Sequence, residues 1–403
     1  MLRFIVTAAA LAAIASPAAA ADTAAVKELT QAYNASGQQL FARFAAAPGN
    51  IVFSPYSIGT AMAMALTGAR GETAAEMASV LKHRQNRAAM DAANADLLKT
   101  LNAYDHPAPP SARLLSANVL MLPRGSRQVS ADYAATVRAW YGAEAMNGAT
   151  LEAVNAWVRD KTEGKIAKML DRLDADTAAV LLNAIYFKAH WGSTFRTAAT
   201  REEPFSLTAA RRVQAPMMRQ TARFTVVARP GYRAIGLPYD VDGLDMIVVL
   251  PNEVDGLADV AGRLDAAELA ALIAAVAAEP ARPVALTLPR FKTSYTANLK
   301  AAFRQLGMQE PFDDRHADFS GMTGRPAAEG SLHIDEVVHR AVIDVMEGGT
   351  EAAAATAVIM TPRSMPARPQ PPEPFRVDHP FLFYIVDNAT GAVLFQGRIV
   401  DPR

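Results

Sequence analysis

The 403 residues contain no cysteine. Disulfides, thiolate zinc sites, iron–sulfur clusters and a thiol nucleophile are excluded together. Neither sign of charge is in surplus, since 40 Lys and Arg face 40 Asp and Glu. A neutral chain has no field with which to gather phosphates, so nucleic acid and membrane surfaces are not expected partners. Long apolar runs are equally scarce: only Phe4 to Ala15 is sustained, and it is too short to span a bilayer. The signatures G-x-S-x-G, H-E-x-x-H, G-x-G-x-x-G and the phosphate loop are all missing. No enzyme, resident metal or cofactor is expected. The seven histidines never stand four apart, and His333 with Asp335 supplies too few ligands for a metal.

What is present is apolar material, 51% of the residues, enough for a large core. Met1-Leu2-Arg3, the run that follows and the small residues Ala18-Ala19-Ala20 match a secretory signal peptide over 1–20. The mature chain, 21–403, is expected to be one domain, secreted or periplasmic in a bacterium. A chain of that length can bury a sufficient core without disulfide staples.

Apolar residues from Val26 to Phe44 recur at helical spacing, giving a first amphipathic helix. Ser54 is placed to cap a second, with Pro55 at its first position and Gly68 as its left-handed stop. Thr73 and Glu76 have the spacing of a capping box for a third. Later come β-branched runs that read as buried strands: Val119 to Leu122, Leu181 to Phe187, Met246 to Leu250, Val284 to Leu288 and Ile334 to Val345. Phe381 to Val386 and Val393 to Val400 flank turn residues and predict a hairpin. Helices first and strands late, without βαβ alternation, predict an α+β fold.

The segment Glu347 to Met365, EGGTEAAAATAVIMTPRSM, is physically odd. Its alanines favour helix, yet it leads from a β-branched strand into six prolines between 362 and 374. Read with period two, Thr350, Ala352, Ala354, Thr356, Val358 and Met360 share a face without charge. Glu351, Ala353, Ala355 and Ala357 share the other. Such a segment can act as a strand whose small side chains slide between existing strands; the plainer alternative is an alanine-rich linker.

From about residue 23 onward the chain resembles the serpins. Asn50-Ile-Val-Phe-Ser54-Pro55-Tyr-Ser57-Ile58 is similar to the family's shutter segment. Asn155-Ala-Trp157-Val158, with Thr162, Gly164 and Ile166, resembles the helix across the main sheet. Asn183-Ala-Ile-Tyr-Phe187-Lys188 with Trp191 resembles the central strand and the tryptophan at its top, the breach. Leu306-Gly307-Met308, Asp318-Phe319-Ser320-Gly321, His339-Arg-Ala-Val, Gly349-Thr350-Glu351-Ala352-Ala353 and His379-Pro380-Phe381 follow in the family's order. The resemblance implies three β-sheets, eight or nine helices and an exposed reactive-centre loop, here about 347–374. It implies a monomeric suicide inhibitor of serine proteases, in which the attacked loop inserts into the main sheet while the enzyme is held as a covalent acyl complex. Asn50, Ser54, Ser57, Asn183 and His339 are the implied shutter residues. Glu347, Gly349, Thr350, Glu351, Ala352, Ala353 and Ala354 are the implied hinge.

In inhibitory serpins the cleaved bond follows the seventeenth residue counted from the hinge glutamate, which from Glu347 is Arg363. Arg363–Ser364 is therefore the expected reactive bond, with a trypsin-like enzyme as target. Arg368 is disfavoured because Pro369 follows it; Met360 is an outside alternative for enzymes preferring apolar residues. A non-inhibitory serpin, a carrier or chaperone whose loop is cut as a substrate, is the alternative function. The small residues from Ala352 to Ala357 favour insertion and hence inhibition.

Overall fold

The computed structural model describes residues 23–105, 112–123, 127–174, 177–326, 332–350 and 371–403. Helices Thr23–Phe44 and Pro55–Gly68 form the buried spine, the second covered on nearly every side. Ser54 caps it as expected, its Oγ accepting from the Ser57 N–H at 2.9 Å. Gly68 does not adopt a left-handed stop; the helix ends on extended Ala69. Gly68 is required for space, since a Cβ there would lie 2.2 Å from Met322 Cγ. The expected capping box is also absent. Helix Gly71–Val80 starts after Arg70, while Thr73 accepts from the Asp318 N–H and Glu76 from those of Gln309 and Glu310. These two side chains tie helix to chain segments more than two hundred residues away.

A six-stranded sheet runs in the order Phe291–Asn298, Glu336–Met346, Gly349–Thr350, Val180–His190, Ala112–Pro123 and Glu144–Ala149. Helix Leu151–Lys161 covers one face through Val154 and Val158, and Pro55–Gly68 backs the other. The second sheet holds nine strands, including the Phe381–Asp387 and Ala392–Ile399 hairpin. The α+β class is as expected, and two of the three expected sheets share one long strand. Arg211–Arg229 is one strand of 19 residues that pairs with Tyr232–Pro238 at one end and with Arg201–Thr208 and Arg282–Pro289 elsewhere. It fuses two of the three expected sheets into one hydrogen-bonded surface. Ten α-helices occur among the described residues rather than eight or nine; three of them have seven residues or fewer, too short to show a helical period.

Candidate functional site: the parting of the central sheet

Strands Val180–His190 and Glu336–Met346 are parallel neighbours from the Val180/Glu336 pair to the Tyr186/Val342 pair. Beyond that they part. Gly349 and Thr350 occupy the gap, antiparallel to both, with Gly349 opposite His190 and Met346 and Thr350 opposite Ala189 and Val345. Gly349 has φ +151°, and a Cβ on it would lie 2.1 Å from Ala189 O. Only glycine fits. Thr350 is fully buried, its Oγ1 2.8 Å from Tyr239 Oη.

The entrance is braced from outside the sheet. Trp191 stacks on Tyr239, with centroids 4.7 Å apart and planes 9° from parallel. Its Nε1 donates to Met346 O at 2.9 Å and its backbone N–H to Gly348 O at 3.0 Å. Glu347 is buried: Thr200 Oγ1 donates to its Oε1 at 2.7 Å, Arg290 lies 3.9 Å away, and its carbonyl accepts from the Phe195 N–H. The hinge thus begins as fixed structure rather than free loop.

Seven residues below the entrance lies a polar cluster in the apolar sheet. His339 Nε2 accepts from the Ser54 backbone N–H at 3.3 Å, so its proton is on Nδ1, which donates to Asn183 Oδ1. The Asn183 amide nitrogen meets Ser57 O at 3.0 Å and also contacts Ser57 Oγ and Asn118 Oδ1. Ser57 Oγ reaches Ser116 Oγ at 3.1 Å. His339 has no exposed surface, and burial pulls its pKa down to about 3. The neutral ring therefore ties helix Pro55–Gly68 to the sheet across the line on which the strands would separate.

Of the residues expected here, Ser57, Asn183 and His339 come together through side chains. Ser54 joins through its backbone, because its hydroxyl is used for the cap. Asn50 lies elsewhere: it accepts from the Val400 and Asp401 N–H groups and donates to Asp401 O, pinning the C-terminal end. Thr350, expected as the first side chain to enter, is already in the sheet. Glu351, Ala352, Ala353, Ala354, Arg363, Ser364 and the 1–20 segment lie outside the described residues. Sequence reasoning missed Tyr239 and Asn118. It also missed the far anchor, where Glu373 pairs with Arg233 and with Arg282, the latter at 2.7 Å, as Glu373–Arg376 joins Val284–Thr287.

The two central strands thus part around Gly349–Thr350, and the chain is anchored again at Glu373–Arg376 in the second sheet. The family model described as serpin (serine protease inhibitor) matches residues 31–402, and the chain belongs to that family. It is 36% identical over 384 residues to an uncharacterized serpin-like protein of Thermococcus kodakarensis, covering 94% of this chain and 86% of that one. It is 33% identical over 383 residues to human leukocyte elastase inhibitor, covering 88% and 93%. Among solved structures, the thermophilic serpin tengpin in its native state superposes with a TM-score of 0.81 at 25% identity, covering 94% of each chain.

Proposed function

We propose that this protein inhibits trypsin-like serine proteases by cleavage after Arg363, insertion of the loop into the six-stranded sheet and trapping of the acyl-enzyme. The observation that carries the reading is the seating of Gly349–Thr350 between strands that remain paired below. Continued in the same register, residue 356 reaches the level of Asn183 and His339, and residue 359 that of Val180 and Glu336. Ala352, Ala354, Thr356 and Val358 then share the inward face with Thr350, all small enough to enter.

The energetics support this. Insertion exchanges one parallel ladder for two antiparallel ones, a net gain of roughly nine backbone hydrogen bonds at about 0.5–1.5 kcal/mol each. That sum is comparable with the roughly 5–15 kcal/mol that holds a protease domain folded. Arginine at the cleaved position suits an acidic specificity pocket. We further propose that the chain is exported behind its 1–20 signal and acts as a single domain, monomeric and without cofactor.

Incubation with trypsin should yield a complex that survives denaturing electrophoresis, and mass spectrometry should place the new terminus at Ser364. Cleavage there without a lasting complex would favour the substrate-like alternative.

A further inference from the structure

A cavity of about 750 Å³ opens between the end of helix Pro55–Gly68, helices Arg87–Asn102 and Ala131–Tyr141, and the short turn at Ser320. Such a volume suits a small organic ligand. One wall is the helix face carrying Asp132, Thr136 and Trp140, which by helical rise extends roughly 12 Å. Trp140 is 40% exposed, the large hydrophobic side chain left open to solvent among the described residues. Its ring has no structural employment in the core.

The opposite walls bring three arginines. Arg70 is fixed: Nη1 donates to Thr67 O at 3.1 Å and Ala69 O at 2.7 Å, and the guanidinium lies tight under Gly321. Arg87 and Arg325 line the same space and have no acidic partner among the described residues. Burial and the nearby Arg87 both lower the Arg70 pKa, against the attraction of Asp318. Arg70 thus meets Arg87 as a like charge and Asp318 as its counter-charge. Two carboxylates share the lining. Asp91 is buried and occupied by the hydroxyls of Thr67 and Tyr141, while Asp132 stands exposed in the first turn of its helix. The cationic groups outnumber them, and the first turn of Ala131–Tyr141 adds its own positive pole.

We propose that this cavity binds a small ring-bearing ester of phosphate or sulfate, with the guanidinium groups of Arg70, Arg87 and Arg325 taking the anion and Trp140 the ring. Guanidinium forks match the oxygens of such esters, and an indole face accepts either a sugar or a base. Nothing in the proposal depends on the inhibitory reading.

The test is calorimetric titration of the intact protein with glucosamine 6-sulfate, glucose 6-phosphate and adenosine 5′-monophosphate, against inorganic phosphate, inorganic sulfate and glucose. At least one ester should bind tenfold or more tightly than the inorganic ions, glucose should not bind, and raising salt to about 0.3 M should weaken the ester. The stronger of the sugar and nucleotide arms identifies the source of the ester. Arg87→Ala and Trp140→Ala, both at exposed positions, should each weaken binding about tenfold without moving the melting temperature. Trp140→Phe should abolish the fluorescence change on binding. Absence of binding by every ester, inorganic ions binding equally well, or unchanged affinity in both alanine variants overturns the proposal.

Discussion

Thr350 Oγ1 and Tyr239 Oη lie 2.8 Å apart, both fully or nearly fully buried, although their backbones belong to a hinge and to a turn 111 residues away. This bond holds the first turn of the loop in the sheet before any cleavage. Tyr239→Phe leaves the threonine hydroxyl buried without its partner, at a cost of about 1–3 kcal/mol. The Gly349 and Thr350 amides should then exchange with solvent about ten- to a hundredfold faster, as read by hydrogen exchange. Unchanged exchange there would show that the ladder alone holds the hinge.

Thr350→Arg tests the same site through size and charge. Placing a cation where no exposed surface remains costs several kcal/mol, and each 1.4 kcal/mol reaching the transition state slows insertion about tenfold. Trypsin should still cut the loop but recover its activity. Glu351→Arg, on the opposite face by the period-two pattern, should retain trapping. Equal behaviour of the two variants in a residual-activity assay would contradict the assigned faces.

The two residues of that first contact differ in how readable they are. Thr350 stands in a period-two pattern, whereas Tyr239 sits in a Pro-Tyr-Asp-Val-Asp turn with no periodic signal. His339 and Asn183 are placed together by the resemblance and not by any local pattern; their contact follows from the parallel register of two strands 156 residues apart. The long strand Arg211–Arg229 was missed because its buried positions switch faces between Met217 and Met218, which breaks a single period of two. Thr73 and Glu76 have the right spacing for a cap, but tertiary donors claim both side chains. Local chemistry thus gave the cap at Ser54, and long-range pairing decided the rest.

Two buried histidines set an acid limit. Burial lowers the pKa of His339 to about 3 and that of His83 to about 4, both below the unfolded value near 6.5. A depressed histidine favours the neutral form in the fold, so stability is complete above pH 6.5 and is lost as pH falls below it. Between pH 6.5 and 5 each should remove about 2 kcal/mol. Urea titrations of the protein and of His339→Gln should differ in slope with pH, the variant losing about half of the dependence. Parallel slopes would contradict the buried neutral ring.

Arg363→Glu places a carboxylate where trypsin-like enzymes offer one of their own. The covalent complex with trypsin should fall by more than a hundredfold in rate. Undiminished complex formation would move the reactive bond elsewhere in the loop.

Central to the account is that the cut loop completes the strand begun at Gly349–Thr350. Calorimetry of the intact protein and of the protein nicked after Arg363 measures this directly. Roughly nine added hydrogen bonds in a central strand predict a melting temperature at least about 10 °C higher in the nicked form. A melting temperature that is unchanged or lower, as an ordinary surface nick would give, contradicts insertion.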